Sequence, residues 1–432
     1  MTETAATTQY ANCQVPEHMT VPWWRVGMIV SSFAVALPAF LNGAQTGLAL
    51  GFRDAMFVAV IAGLILCVGG ALTSVISVRT RLTTYVLVQR SFGRFGAAGV
   101  NLVVALILFG WFGVNVSFFG SAMGAGAKQL FGIEGQFVNF VILGSVLMTV
   151  STVFGFKTLE RLAIVTIPLL GAVLVAVCWS AIARHGIVIA PSAHPPEPMS
   201  FGIAVSALVG GNMVTVATMP DLSRYTRTAR GAVWSMAMSF PIATPIMMLA
   251  TAIPALAMNE TDIMVLVVTF GLGIPALAAL VLSTWVVNAS NLYSAGLSLS
   301  ATFPAIRPWV FVLAGGFIGG AFALMGIIDA FIPFLLFLGI IVPPIAAIYV
   351  IDGFTVFRNA DAAASIVDMP AVRWPAVGTW VGSVVLVLVT SHFGLSLTGV
   401  PMFDATIVAA FCYLVVLKRA GRPAMRPGSS VL

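Results

Sequence analysis

The sequence predicts an all-α protein that crosses a lipid bilayer about twelve times. Hydrophobic residues make up 60% of the 432 residues and charged residues only 8%, whereas soluble proteins carry about 25% charged residues. The apolar stretches are continuous rather than alternating, which favours helices over a membrane β-barrel. At about 20 residues per span plus short loops, the chain is long enough for roughly twelve helices.

Polar or proline-containing connections separate the apolar segments along the chain. The predicted spans are approximately 23–50, 55–78, 97–123, 136–154, 159–183, 206–227, 232–257, 274–297, 309–328, 331–351, 376–390 and 406–417. The first 22 residues lack the basic and apolar regions of a cleaved signal peptide. We therefore expect 1–22 to form an N-terminal tail and 418–432 a C-terminal tail.

The basic residues predict how these spans are oriented in the plasma membrane. If both termini are cytoplasmic, only Arg53, Lys128 and Arg184 among the 20 Lys and Arg lie in external connections. Short cytoplasmic loops carry an excess of Lys and Arg, so the sequence predicts cytoplasmic termini. Because the basic residues are scattered over short loops, the net charge of +6 indicates topology and no nucleic-acid partner.

Two of the predicted spans contain residues that disfavour a continuous helix. Pro38 interrupts the first span, and Gly210-Gly211-Asn212 interrupts the sixth shortly before Pro220. Lipid offers no partner to the N–H and C=O groups that a break frees, so broken spans line protein cavities. We therefore expect the two breaks to face each other across a binding cavity at mid-membrane. A glycine pair is equally consistent with a packing notch against a neighbouring helix.

The spacing of the two interrupted spans predicts internal symmetry. The first and sixth spans lie five spans apart, which is the spacing expected for two inverted repeats of five helices. The expected units are 23–184 for the first repeat, 199–352 for the second, and 373–417 for two further helices.

The polar side chains predicted at mid-membrane are neutral. They are Asn115, Asn212, Asn288 and Asn291, with Trp111 beside them. A carboxamide has both donors and an acceptor, which suits a flat heterocyclic amide, and stacking on an indole contributes about 1–3 kcal/mol per base. Alternatively, each Asn only forms a hydrogen bond between helices, which contributes about 0.6 kcal/mol.

These residues favour secondary active transport over other membrane functions. A channel would need a ring of charges or a carbonyl filter, and neither is visible in the sequence. A membrane-embedded enzyme would need a nucleophile with its base or a metal constellation. No His or carboxylate is predicted at mid-membrane, so we expect neither a catalytic set nor a cofactor.

Several stretches resemble one transporter family. LTTYVLVQRSFG, GWFGV, PDLSRY, and WVVN followed by NLYSAGL are similar to the nucleobase–cation symporter family, which includes bacterial cytosine permeases. The resemblance extends over about 23–417. It implies a LeuT-like five-plus-five inverted repeat with two extra C-terminal helices. The implied activity is import of cytosine or a related nucleobase by alternating access, driven by Na⁺ or H⁺, with a ureide such as hydantoin or allantoin as the alternative substrate.

The resemblance also implies roles for single residues. Trp111 corresponds to the aromatic residue of the third helix that stacks on the substrate ring. Asn115 occupies a position where some members have a Gln that bonds the substrate. Asn288 corresponds to the Asn of the eighth-helix motif.

The sixth span departs from the family pattern. Members usually carry a second aromatic residue at the break, whereas this chain has Asn212 beside Gly211. The substrate ring is then held on one face only, or between Trp111 and a first-helix residue such as Phe40.

The cation site departs from the pattern as well. The family uses first-helix carbonyls and eighth-helix hydroxyls, but Val286 and Val287 replace the expected Ser/Thr pair. Protons are therefore an alternative to sodium. The candidate sodium ligands that remain are the carbonyls of Ala36 and Ala39 and the hydroxyls of Ser283 and Ser290.

Overall fold

A computed structural model describes residues 14–32, 36–196, 198–357 and 370–420. Helices dominate this described part, and its β-type pairing is a single isolated bridge between Val21 and Thr226. The helices are α1 Trp23–Ser32, α2 Leu37–Thr80, α3 Thr84–Phe92, α4 Arg94–Phe131, α5 Phe137–His185, α6 Phe201–Ala217, α7 Pro220–Ser223, α8 Ala229–Met238, α9 Thr244–Met258, α10 Ile263–Thr269, α11 Gly273–Thr302, α12 Pro308–Leu324, α13 Phe331–Phe354, α14 Trp374–His392 and α15 Pro401–Ala420. A π-helical turn at Ser239–Ala243 joins α8 to α9.

Helix α2 contains two membrane passes. Its 44 residues would extend about 66 Å as one helix, roughly twice the hydrocarbon thickness of a bilayer. Gly51 divides it with a left-handed φ of 81°, and a Cβ there would lie 2.7 Å from the Ile189 carbonyl oxygen. Eight helical segments in the described part are long and apolar enough to span a membrane, with α8 and α9 counted as one segment and Pro168–His185 of α5 as another. Three shorter apolar segments accompany them, namely Phe137–Val153 of α5, Phe201–Ala217 and Pro308–Leu324. Dividing α2 at Gly51 then gives the predicted twelve passes.

The interruption of the first span lies immediately before Pro38. Helix α1 ends at Ser32, and Ala36 is extended where it caps the start of α2. Pro38 occupies the first turn of α2, where a missing N–H is tolerated because that turn has no intrahelical acceptor for it.

The break expected at Gly210-Gly211-Asn212 is wrong. Helix α6 is continuous through these residues, and the span is interrupted only at Thr218 and Met219. The two breaks therefore cannot face each other as predicted.

The glycine pair is instead explained by close packing of α6 against α13. A Cβ on Gly210 would overlap the Leu335 carbonyl oxygen and lie 2.9 Å from the Gly339 nitrogen. Further along, the Tyr349 hydroxyl donates to the Ala217 carbonyl at 2.8 Å. Small residues allow two membrane helices to approach closely. The glycine pair is therefore a packing notch against a neighbouring helix, which was the alternative interpretation.

Arginines crowd one end of the bundle, which we call the basic end and define by Arg81, Arg90, Arg224 and Arg373. Arg81 ends α2 in a left-handed conformation with φ 57°. Its guanidinium donates to the Arg224 carbonyl at 2.7 Å and to the Thr226 carbonyl at 2.6 Å. These bonds connect the end of α2 to the chain that follows α7.

Helix α3 is held at both ends of its axis by charged side chains. The Asp221 carboxylate accepts a bond from the Thr84 backbone N–H at 2.8 Å, and the Arg373 guanidinium donates to the Arg90 carbonyl at 2.9 Å. An anion at a helix N-terminus and a cation at its C-terminus both complement the helix dipole. Arg373 also pairs with the fully buried Asp352 of α13 at 2.7 Å, so α3 connects α7 to α13 and α14.

Candidate functional site

Residues of eight helices, α2, α4, α5, α6, α9, α10, α11 and α13, form one buried cluster. It includes Phe40 of α2, Val114 of α4, Ala207 of α6, Ile253 of α9 and Leu335 of α13. The predicted site is therefore assembled from both halves of the chain, as a site between two repeats requires.

Trp111 lies at the edge of this cluster. Its ring is half-buried and contacts Phe334 at 5.4 Å and Phe331 at 6.3 Å between ring centroids, both edge-to-face. Such pairs contribute about 0.5–1.5 kcal/mol beyond simple burial and restrict the orientation of the indole. Asn115 lies one turn on and donates to the Trp111 carbonyl at 2.8 Å.

Phe40 belongs to the core in this conformation. Only 1% of the residue is exposed, and it packs in the same cluster as Val114 and Phe118. Trp111 packs against the same cluster, but Phe40 has no ring face free for a ligand, so a substrate held between the two rings stays a prediction.

Asn212 and Gly211 are half-buried on α6. The Asn212 amide donates to the Leu208 carbonyl four residues earlier at 3.0 Å. A Cβ on Gly211 would lie 3.2 Å from the Leu335 side chain. The Asn212 amide, like that of Asn115, donates to a carbonyl of its own helix.

Asn288 connects three helices. It is fully buried, and its amide donates to the Phe112 carbonyl of α4 at 3.0 Å and to the Met148 sulfur of α5 at 3.3 Å. Its side-chain oxygen has no hydrogen-bond partner in the described part of the chain. Asn291 lies nearly one turn further along α11 and is half-buried. The Asn288 amide thus fixes α11 against the residue that follows Trp111.

The candidate sodium ligands are largely engaged in their own helices. The Ala36 carbonyl accepts bonds from the Ala39 N–H at 3.1 Å and the Phe40 N–H at 3.2 Å. Ser290 donates to the Val286 carbonyl at 3.0 Å, and Ser283 is buried. The described residues also contain no group of three His, Cys, Asp or Glu that could hold a metal ion.

Polar residues at the start of α2 were missed by the sequence analysis. Asn42, Gln45 and Thr46 are all buried, and the Thr46 hydroxyl donates to the Asn42 oxygen at 3.3 Å. The Gln45 side-chain oxygen has no partner among the described atoms, which costs about 1–3 kcal/mol in a buried site. The signal was available, because three polar residues within five positions follow the break in an apolar span.

Comparison with protein families gives one match that extends over most of the chain. The model described as a permease for cytosine/purines, uracil, thiamine and allantoin matches residues 15–415. Curated relatives include the cytosine permeases of Escherichia coli K12 and Escherichia coli O157:H7. Each is 27% identical over 400 residues, which is 91% of this chain and 91% of the relative.

Solved transporter structures share the fold. An inward-facing conformation of Mhp1 has a TM-score of 0.77 at 18% identity, covering 95% of this chain and 96% of that one. Mhp1, a nucleobase-cation-symport-1 family transporter, in a closed conformation with bromovinylhydantoin bound has a TM-score of 0.71 at 17% identity, covering 95% of each chain. A Na⁺-coupled sialic acid symporter has a TM-score of 0.62 at 12% identity, covering 95% of this chain and 92% of that one. The predicted fold class, an all-helical LeuT-like five-plus-five repeat with two C-terminal helices, is confirmed, while the residue boundaries of the repeats stay predictions.

Proposed function

Because the chain belongs to the family of permeases for cytosine/purines, uracil, thiamine and allantoin, we propose that it imports a nucleobase, cytosine first, by cation symport. Membership of this family makes the protein a multi-pass membrane transporter rather than an enzyme. Cytosine is preferred because the curated relatives at 27% identity are cytosine permeases. A ureide remains the second candidate because a structural neighbour binds bromovinylhydantoin.

The observation that carries the proposal is the position of Trp111. Its half-buried indole is held edge-to-face by Phe331 and Phe334 where α4 meets α13. An oriented aromatic ring at the junction of several helices suits a planar heterocycle, since stacking contributes about 1–3 kcal/mol per base.

Carboxamides on the helices of the proposed site would provide hydrogen bonds for the edge of the base. Gln45 and Asn288 both have a buried oxygen without a partner in the described part of the chain. Gln45 is the stronger candidate because the Asn288 amide is already bonded to α4 and α5, and an exocyclic amine would satisfy the Gln45 oxygen. We assign Asn115 and Asn212 the same role. Each side-chain amide now donates to a carbonyl of its own helix and would exchange that bond for one to the base. Asn288, by contrast, would act by positioning α4.

The coupling ion is proposed to be Na⁺ or H⁺. Val286 and Val287 remove hydroxyls from the eighth span, which weighs against a sodium site built as in the family. Ser283 is the hydroxyl best placed to compensate, because it is buried three residues earlier on α11.

We propose that the protein lies in the plasma membrane with its basic end facing the cytoplasm. Arg81, Arg90, Arg224 and Arg373 lie at this end, whereas Lys128 pairs with Glu134 in a connection between spans three and four. The excess of arginine at one end supports cytoplasmic termini.

Uptake into proteoliposomes tests the proposal. Wild-type protein should accumulate radiolabelled cytosine against its concentration gradient when a Na⁺ or H⁺ gradient is imposed. Comparing uptake under the two imposed gradients identifies the coupling ion. A panel of unlabelled purines, pyrimidines and hydantoin, added as competitors, ranks the substrates. Preference for hydantoin over every nucleobase would favour the second candidate, and absence of cation-driven accumulation would contradict the proposal.

The matched variants are Trp111→Ala and Trp285→Ala. Losing one stacking surface should weaken cytosine binding by about 5- to 150-fold. Trp285 serves as the control because its indole donates to Ser151 and packs against Phe119, away from the proposed site. If Trp111→Ala binds cytosine as tightly as the control, the stacking assignment is wrong.

A further inference from the structure

Helices α1 and α8 begin side by side at the basic end. The Val21 N–H donates to the Tyr225 carbonyl at 2.7 Å, and the Arg227 N–H donates to the Val21 carbonyl at 3.3 Å. One turn into α8, the Ser235 hydroxyl donates to the Trp23 carbonyl at 2.7 Å. The residues around these contacts therefore form one continuous surface.

This surface carries exposed arginines without a carboxylate partner among the described residues. Arg25, Arg227 and Arg230 are all exposed, and the ion pairs found in the described part involve other residues. The acidic residue nearest to Arg227 and Arg230 in the sequence is Asp221, and its carboxylate accepts a bond from the Thr84 N–H of α3. Three positive charges therefore face the surroundings of the protein together.

Tryptophans place the same surface at the depth of the lipid headgroups. Trp23, Trp24 and Trp234 are 38%, 43% and 62% exposed, and the Arg25 guanidinium lies 5.4 Å from the centre of the Trp24 ring. Tryptophan is enriched at the boundary between hydrocarbon and water. Further along the two helices the exposed residues become apolar, with Met28 on α1 and Val233 on α8.

We propose that the start of α1 and α8 binds an anionic phospholipid. Arg25, Arg227 and Arg230 would hold its phosphate diester, and the acyl chains would lie along Met28 and Val233. Clusters of arginine beside a membrane helix attract anionic lipid headgroups, and arginine can bind a phosphate through two parallel hydrogen bonds. A lipid is favoured over a free phosphate because the basic surface continues directly into an exposed apolar one.

The bound lipid would hold α1 against α8. Ser235 of α8 already donates to the Trp23 carbonyl of α1, and Ser239 of the following π-helical turn donates to the Gly27 carbonyl of α1 at 2.8 Å. Because α1 ends at the interruption of the first span, a lipid bridging both helices would slow any movement of α1 alone. This consequence depends on the proposed transport function, whereas lipid binding itself does not.

Native mass spectrometry of the full-length protein tests the binding. The wild type is titrated with phosphatidylglycerol and, separately, with phosphatidylcholine, and a variant combining Arg25→Gln, Arg227→Gln and Arg230→Gln is treated identically. At about fivefold per arginine, the triple variant should bind phosphatidylglycerol roughly 100-fold more weakly. Phosphatidylcholine binding should be weak in the wild type and unchanged in the variant.

A control variant removes the same charge elsewhere, through Arg53→Gln, Arg94→Gln and Arg307→Gln. The proposal is overturned if the control loses as much affinity as the test variant, or if the test variant binds phosphatidylglycerol like the wild type. Displacement of the lipid by millimolar inorganic phosphate would instead indicate a site for a free anion and would also overturn it. None of these measurements requires uptake, so a failure of lipid binding is distinguishable from a failure of the proposed transport activity.

Discussion

Gly210→Ala should separate α6 from α13, whereas Gly211→Ala should be tolerated. A methyl group on Gly210 would overlap the Leu335 carbonyl oxygen and lie 2.9 Å from the Gly339 nitrogen, and both are backbone atoms of α13. A methyl group on Gly211 would meet the Leu335 Cδ2 at 3.2 Å, and that flexible side chain can move away. The two neighbouring glycines therefore form a matched pair.

The size of the effect follows from two opposing terms. Replacing Gly by Ala within a helix stabilises it by roughly 0.5–1 kcal/mol, because the unfolded chain loses freedom. Overpacking a close contact costs about 1–3 kcal/mol or more. We expect a net loss of about 1–2 kcal/mol or more for Gly210→Ala and a change near zero for Gly211→Ala.

Thermal unfolding of both variants in detergent, with wild-type protein alongside, measures this difference. Gly210→Ala should unfold at a clearly lower temperature or be recovered in lower yield, and Gly211→Ala should match the wild type. Equal stability of the two variants would refute the packing explanation.

Further predictions concern buried polar groups. Arg373→Gln leaves the buried Asp352 without its cation, although the Tyr413 hydroxyl still donates to it at 2.9 Å, and should lower the free energy of unfolding by about 3–5 kcal/mol. The double variant Arg373→Met with Asp352→Leu should recover most of that loss, and thermal unfolding that ranks the two otherwise would contradict the pairing. Gln45→Leu should raise the unfolding temperature, because an unpaired buried oxygen costs about 1–3 kcal/mol. The same variant should take up cytosine with lower affinity, and an unchanged uptake affinity would show that Gln45 does not belong to the site. Asn288→Leu should lower the unfolding temperature and leave the substrate ranking in competition assays unchanged, whereas a changed ranking would indicate direct contact with the base.

The fold was predictable because the membrane fixes the length of each element. Apolar segments of about 20 residues must be helical, since lipid cannot pair with backbone groups. The interruption before Pro38 was predictable for a related reason, since proline lacks an N–H and is best tolerated in the first turn of a helix. Both inferences use neighbouring residues alone.

The interpretation of Gly210 was not predictable in the same way. The atoms that require a glycine there belong to Leu335 and Gly339, on a helix far along the chain. A glycine pair in an apolar segment has the same local sequence pattern whether it packs against another helix or interrupts its own helix. Asn288 presents the same difficulty, because its partners Phe112 and Met148 lie on two other helices.

The arginines at and beside the basic end have different roles that a count of positive charges does not distinguish. As markers of topology they are equivalent, yet Arg81 and Arg373 donate to backbone carbonyls that join separate segments, whereas Arg25 and Arg227 are exposed. The first pair supports the bundle from within, and the second pair is available to bind a ligand. Burial separates these roles, and burial depends on which helices pack together. The arginines from which the orientation is predicted therefore also supply internal bonds and, where they are exposed, the proposed contact with anionic lipid.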